Sequence, residues 1–348
     1  MGIPPMISMS NAIETDAKIY VAGHRGLLGS ALVRELLAAG YKDLILRTHS
    51  QLDLTDPVEV SRLLAAESPE IVFLAAAKVG GILVNHRLPA EFIHDNLAIQ
   101  NNIIHQSFRN KVRRLIFIGS SCIYPRDCPQ PIKEEYLLTG ALEPTNRPYA
   151  IAKIAGIELC WAYNRQHGTN FLAAMPTNLF GPNDNYDLET SHVVPALIRK
   201  MGEAKTKGSP HVVVWGTGRP RREFLYSDDA ANACVFLMNL SDDHFGSLTS
   251  SANAPPLINI GAGRDLTIVQ LAELVREVVG FKGNILFDQE KPDGTMRKLL
   301  DTSRLERFGW RPRMQLREGI QRAYQDYLQC GFDRSRVNDV VQASRHSR

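Results

Sequence analysis

Lys18-Ile19-Tyr20-Val21-Ala22-Gly23-His24-Arg25-Gly26-Leu27-Leu28-Gly29-Ser30-Ala31-Leu32-Val33-Arg34-Glu35-Leu36-Leu37-Ala38-Ala39 is the stretch that decides the fold. Residues 18–22 form a short apolar run that fits a strand. Leu28, Leu32, Leu36 and Leu37 then recur on one stripe of a helix read over Leu28–Ala39. Between them, three glycines at spacing three and three mark a strand-to-helix turn. Gly23 permits the tight turn, Gly26 lets backbone approach a pyrophosphate, and Gly29 lets the helix pack on the strand. The helix N-terminus offers unpaired N–H groups and a partial positive charge to phosphate. Glycines are ordinary turn residues, so the weight comes from the strand before and the helix after.

Outward from this stretch the pattern repeats. Apolar runs at Asp43–Arg47, Ile71–Ala76 and Leu115–Ile118 fit strands buried on both faces, with helical spacing between them. Such alternation implies an α/β fold, a Rossmann-type doubly wound parallel sheet. After Phe171 the rhythm loosens and Pro- and Gly-rich breaks appear. Further strands are expected at Val212–Val214, Ile258–Ile260 and Ile285–Phe287, with helices at about Ile268–Val279 and Leu316–Leu328. The chain divides on this reading into a loose extension at 1–17 and a dinucleotide-binding domain at 18–182 with a return segment around 223–263. A smaller α/β substrate domain takes 183–222 and 264–333, and a frayed tail takes 334–348.

Composition bounds the answer. At roughly 150 residues per domain, 348 residues make about two domains. Hydrophobic residues at 44% and charged residues at 22% exclude a disordered chain, a collagen-like fibre and a coiled coil. Forty basic against 37 acidic residues leave +3, so no global field draws the chain to nucleic acid or membrane. No apolar run approaches the roughly 18 to 20 residues of a spanning helix. The first seventeen residues hold Glu14 and Asp16 and no Arg, which reads poorly as a signal or transit peptide. Cysteines at 122, 128, 160, 234 and 330, odd in number and scattered, do not form a disulfide framework, so a reduced, cytoplasmic setting is expected. Cys122, Cys128 and His105 lack a second ligand pair for a metal.

The second strand ends in Arg47-Thr48-His49, without the acidic residue that holds a ribose 2′-hydroxyl. A cation there suits a 2′-phosphate, so NADP is favoured over NAD, and Arg25 points the same way; the alternative is two surface arginines. Tyr149 and Lys153 stand at i and i+4 on a helix running to about Gln166, on one face a turn apart. Tyrosine, with a reference pKa of ~10, needs a nearby cation to exchange protons at neutral pH. Lys153 supplies that cation and can also hold a nicotinamide ribose. The hydroxyl that would orient a substrate oxygen is Ser120 or Ser121, at the end of the fourth strand, where open α/β sheets bind ligands. Alone, a Tyr/Lys pair is common on a solvated helix face; behind a glycine turn and a strand-end serine it is a strong signal.

Together these features resemble the extended short-chain dehydrogenase/reductase family of nucleotide-sugar enzymes, over Lys18 to about Cys330. The strings Gly23–Gly29, Ala75–Ile82, Gly119–Pro125, Pro176–Asp184 and Ser191–Pro195 are similar, without departure, to the branch that acts as a 3,5-epimerase/4-reductase. The resemblance implies GDP-4-keto-6-deoxy-D-mannose as substrate, NADP(H) as cofactor and GDP-L-fucose as product. It implies cofactor contacts from Gly23, His24, Arg25, Gly26, Leu27, Leu28, Gly29 and Arg47. Ile118, Gly119, Ser120, Ser121 and Lys153 are implied beside them, as are Pro176, Thr177, Asn178, Leu179 and His192. Tyr149, Lys153 and Ser120 resemble the reductive set, Cys122 the epimerisation base and His192 its acid partner. On an extended segment Cys122 would share a side with Ser120. Lys200, Trp215, Arg222 and Asp293 match substrate-contacting positions. Lys200, Arg219, Arg221, Arg222 and Arg297 make a basic cluster for a GDP pyrophosphate, with bystanders expected in the arginine run. A homodimer is implied, and helices at about Ala90–Arg109 and Pro148–Gln166 could build its four-helix interface. The competing readings are another nucleotide-sugar epimerase or dehydratase with tightly held NAD, and a non-catalytic or RNA-associated relative. The near-neutral charge and the intact Ser120/Tyr149/Lys153 set argue against the latter.

Overall fold

A computed structural model describes residues 13–291 and 293–330. The expected tail at 334–348, and residues 1–12 of the expected extension, lie outside the described residues. The first half runs β1 (Ile19–Ala22), α1 (Leu27–Ala38), β2 (Leu44–Ile45), α2 (Pro57–Glu67), β3 (Ile71–Leu74), α3 (Ile82–Arg87), α4 (Pro89–Arg109), β4 (Arg114–Ile118), α5 (Arg147–His167) and β5 (Phe171–Pro176). Then come β6 (Asn178–Phe180), α6 (Val193–Lys207), β7 (His211–Trp215), β8 (Arg221–Tyr226), α7 (Ser227–Met238), α8 (Asp242–Thr249) and β9 (Leu257–Ile260). The chain closes with β10 (Asp265–Thr267), α9 (Ile268–Val279), β11 (Asn284–Asp288), β12 (Arg297–Lys298), α10 (Ser303–Glu306) and α11 (Leu316–Cys330).

One sheet organises the molecule. Its order is β2-β1-β3-β4-β5-β9, and every neighbouring pair is parallel. Strand residues alternate between two cores, as a pleated strand must. Ile19, Val21, Ile71, Phe73, Ile116 and Ile258 face one, and Tyr20, Ala22, Val72, Leu74, Leu115 and Leu257 face the other. α1 and α7 pack together over the first core, while α4 and α5 pair over the second. Both faces are covered, so these strands read as unbroken apolar runs.

The structure departs from the sequence reading in four places. Leu28, Leu32 and Leu36 are buried on α1, but Leu37 is 49% exposed, because it sits one position past the stripe that meets the sheet. The second strand is only Leu44–Ile45, so Arg47 lies beyond its end. Ordered packing begins before Lys18: Ile13 and Ala17 join the first core, and the Ile13 carbonyl accepts from the Tyr41 hydroxyl at 3.3 Å. Leu305 and Trp310, read with the smaller unit, also pack on the first core.

The remaining strands make a second layer. β8 is its spine, pairing with β6, β10 and β12, while β7 and β11 pair separately. A third core beneath them is filled by α6, α9 and α11 through residues such as Leu197, Met201, Leu271, Val275 and Ile320. Among the described residues no helix is long and apolar enough to cross a membrane.

Candidate active site

A cavity of about 950 Å³ lies between the C-terminal ends of the parallel strands and the second layer. It begins where the sheet order reverses, the chain passing from β1 toward β2 on one side and from β3 toward β4 on the other, which is where such sheets bind ligands.

The glycine turn forms one end. Gly23 has φ +85, and a Cβ there would meet the Ala76 backbone at 2.7 Å. A Cβ on Gly29 would collide with the Gly23 carbonyl, so the turn exists only with glycine at both places. Gly26 caps α1 without a side-chain hydrogen bond, which leaves first-turn N–H groups open to an anion. Gly26, Leu27, Leu28 and Gly29 line the cavity, followed by Ala75–Gly81, Gly119–Cys122 and Pro176–Leu179. This cradle fits a dinucleotide pyrophosphate. Arg47 also lines the cavity, but it is not free: its guanidinium pairs with Glu67. Arg25 is exposed, and the His24 Nδ1 is buried without a partner; neither lines the cavity.

Ser120, Tyr149 and Lys153 come together as the spacing suggests. Ser120 is a hydrogen-bonding neighbour of Tyr149, and the Lys153 ammonium stands 5.9 Å from the tyrosine ring centre. Lys153 itself sits behind the cavity wall, donating to the Ile118 carbonyl at 2.8 Å. Burial lowers its pKa to about 7, so near neutrality only part of the population is charged. Burial, and the adjacent Cys122 sulfur, push the Tyr149 phenol well above its ordinary range despite the Ser120 hydrogen bond. The structure therefore keeps a protonated phenol facing the cavity rather than a stabilised phenolate.

Cys122 reaches the same place by a different route from the one expected. Ser121–Ile123 is a short 3₁₀ turn, not an extended segment, and Ser120 caps it by accepting from the Cys122 N–H at 3.4 Å. The turn aims the thiol into the cavity, where Asn146 Nδ2 donates to Sγ at 3.1 Å and Lys298 Nζ lies 3.9 Å away. His192, the residue just before α6, lines the cavity as well. Solvent reaches it through the cavity, but the surrounding protein lowers its pKa by desolvation and favours the neutral ring.

The basic cluster is sorted by its partners. Arg221 and Arg297 both bind Asp265, with Nη2–Oδ1 at 2.7 Å and Nε–Oδ2 at 2.6 Å, and neither lines the cavity. Arg219 is exposed and also outside it. Lys200 and Arg222 do line it, and burial lowers the pKa of both. Lys200 stands 5.3 Å from the Trp215 ring centre, and the Asp293 carboxylate holds Thr217 through its N–H and hydroxyl. Trp215 and Asp293 complete this wall.

Sequence reading missed Asn146 and Lys298. Asn146 lies three residues before Tyr149, at the N-cap position of the same helix. Lys298 is a lone lysine with no motif around it. Among the described residues, no group of three His, Cys, Asp or Glu is placed to hold a metal ion.

Comparison with known proteins supplies the context. The family model "NAD dependent epimerase/dehydratase family" matches residues 19–249. GDP-L-fucose synthase 1 of Arabidopsis thaliana is 53% identical over 320 residues, 92% of this chain and 96% of that protein. GDP-L-fucose synthase of Escherichia coli (strain K12) is 49% identical over 315 residues, 90% of this chain and 97% of that protein. Among solved structures, MlghC, a GDP-mannoheptose C4 reductase from Campylobacter jejuni with NADP bound, is similar at a TM-score of 0.82 and 39% identity. It covers 91% of this chain and 99% of that one.

Proposed function

This chain belongs to the NAD dependent epimerase/dehydratase family, and we propose that it converts GDP-4-keto-6-deoxy-D-mannose to GDP-L-fucose as an NADP-dependent epimerase and reductase. The C4 ketone makes the protons at C3 and C5 acidic, because the charge left behind is shared with O4 as an enolate. Cys122 is the base that takes them, and Asn146 and Lys298 are there to meet the charge on its sulfur. His192 takes up a proton from solvent entering the cavity and returns it to the carbon, leaving the neutral ring that its surroundings favour. Ser120 and Tyr149 point hydrogen-bond donors at O4, which carries negative charge in the enolate and again in the alkoxide, so one pair serves both half-reactions. NADPH supplies the hydride that reduces C4. Tyr149, kept protonated by burial, gives its proton to O4. Gly23, Gly26 and Gly29 receive the cofactor pyrophosphate, with Arg47, exchanging Glu67 for the ligand, at its 2′-phosphate and Ile118, Gly119, Ser121, Lys153 and Pro176–Leu179 along the nicotinamide end. Lys200, Trp215, Arg222 and Asp293 take the GDP end of the sugar nucleotide. In this reading the parallel sheet is the cofactor domain, and the second layer is the substrate domain.

We place the protein in the cytoplasm, a reading supported by four free cysteines, Cys122, Cys128, Cys160 and Cys234. We further assign a homodimer through α4 and α5, supported by their side-by-side packing and by Ile151, which is 38% exposed on α5.

The observation that carries the reaction is the thiol of Cys122 beside Ser120 and Tyr149, within 3.9 Å of the Lys298 ammonium. An epimerase that works by transient oxidation at C4 has no use for it. Incubation with the 4-keto sugar and NADPH in deuterated water is expected to yield a fucose product carrying deuterium at C3 and C5. Cys122→Ser is expected to stop that incorporation. Deuterium still entering in Cys122→Ser, with only reduction lost, would overturn the assignment.

A further inference from the structure

Side chains alternate along β8. Arg222 and Phe224 line the cavity, and Glu223 between them turns to the other face, where it is fully buried. A carboxylate in such a place must find donors, and Glu223 finds backbone ones. Its Oε1 accepts from the N–H groups of Ala262 at 2.6 Å and Gly263 at 2.8 Å, and its Oε2 accepts from Leu300 N–H at 3.0 Å. The chain is shaped to receive it. A Cβ on Gly261 would fall inside contact distance of Oε1, and Gly263 adopts φ +69, so residues 261–263 wrap around the carboxylate. The peptide carbonyl of Glu223 accepts in turn from Asn178 Nδ2 at 2.8 Å and Thr177 Oγ1 at 3.3 Å, both on the cavity wall.

One buried residue thus joins the stretches that follow β5, β9 and β12. The third is the telling one. Leu300 stands two residues beyond Lys298, whose ammonium faces the Cys122 sulfur. We propose that Glu223 is a positioning residue for the epimerisation half-reaction, holding β12 so that Lys298 stays at Cys122; this rests on the reaction proposed above. Glu223→Gln keeps the shape but offers a single acceptor oxygen, so its NH₂ must face at least one of the three N–H donors. Gly261→Ala displaces the carboxylate without changing its charge, and serves as the second variant.

The test is deuterium wash-in at C3 and C5 of GDP-4-keto-6-deoxymannose with NADP⁺ in place of NADPH, so that no hydride is available. Wash-in is expected to slow by about tenfold or more in both variants, since small displacements of an acting group have effects of that order. The NADPH dissociation constant, from nucleotide fluorescence, is expected to stay within about threefold of the parent, because the glycine turn is untouched. Wash-in near the parent rate in a folded variant overturns the role. So does an equal loss of NADPH affinity, or loss of the folded state in both variants, since each makes Glu223 a general support. Absence of wash-in in the parent protein would instead sink the reaction itself, and this role with it.

Discussion

The two walls of the cavity are built in opposite ways. The first wall hangs from a parallel sheet, and its groups follow strand ends directly: Gly23 after β1, Gly119 after β4, Thr177 after β5. The second wall is gathered from α6, β7, β8, the loop around Asp293 and β12, short pieces brought together from residues 193 to 298. On the first wall, position along the chain assigns the role. On the second, the partner assigns it: Arg221 is held by Asp265, while its neighbour Arg222 faces the cavity.

The largest effect should come from the reductive set. Tyr149→Phe removes the proposed proton donor and is expected to lower turnover by a factor on the order of 10²–10⁴, with NADPH binding preserved. A loss below tenfold in steady-state NADPH oxidation would mean that strand-end placement alone does not assign chemistry. Beneath that wall, Leu36→Ala should cost about 2–5 kcal/mol in urea unfolding. Leu37→Ala should stay within about 0.5 kcal/mol, because its side chain remains in solvent. Equal losses would show that the stripe is misplaced.

Lys153 sharpens the same wall through pH. Its pKa falls from 10.5 in the unfolded chain to about 7 in the folded protein. Between those values the unfolded state holds a proton that the folded state has released, so stability of the cofactor-free protein rises with pH from about 7 to about 10. Below 7 both states are protonated and the contribution is flat. The slope can reach about 1.4 kcal/mol per pH unit, and Lys153→Met should abolish it; an unchanged slope by urea titration would exclude Lys153 as its source. The smallest effect tests the second wall. Arg222→Gln should raise KM for the sugar nucleotide about tenfold, the worth of one charged hydrogen bond, and Arg221→Gln should leave it nearly unchanged. Matching KM values for the two would erase the contrast between the walls.

Much of the first wall was legible in the chain. Strands buried on both faces must be apolar throughout, and a dinucleotide turn must carry glycine where no Cβ fits, so β1, β3 and β4 and the turn at 23–29 announced themselves. The pair at Tyr149 and Lys153 was legible because helical spacing fixes which side chains share a face. Less legible was how Cys122 enters the cavity. Its two-residue offset from Ser120 suggested an extended strand, but the Ser120 hydroxyl caps a 3₁₀ turn instead. Leu37 shows the same limit at smaller scale, since helical periodicity locates a stripe but not its edge.

Periodicity and steric necessity, both local in sequence, were enough to read the parallel sheet and the glycine turn, and the resemblance of the motif strings gave the family. Tertiary structure alone decided which cations are spent on Asp265, that Glu67 engages Arg47, and that Lys298 stands at a thiol 176 residues away along the chain. The physical reason is that a charged side chain takes its role from the nearest opposite charge or buried donor. That neighbour belongs to another segment, and no spacing within the chain encodes it.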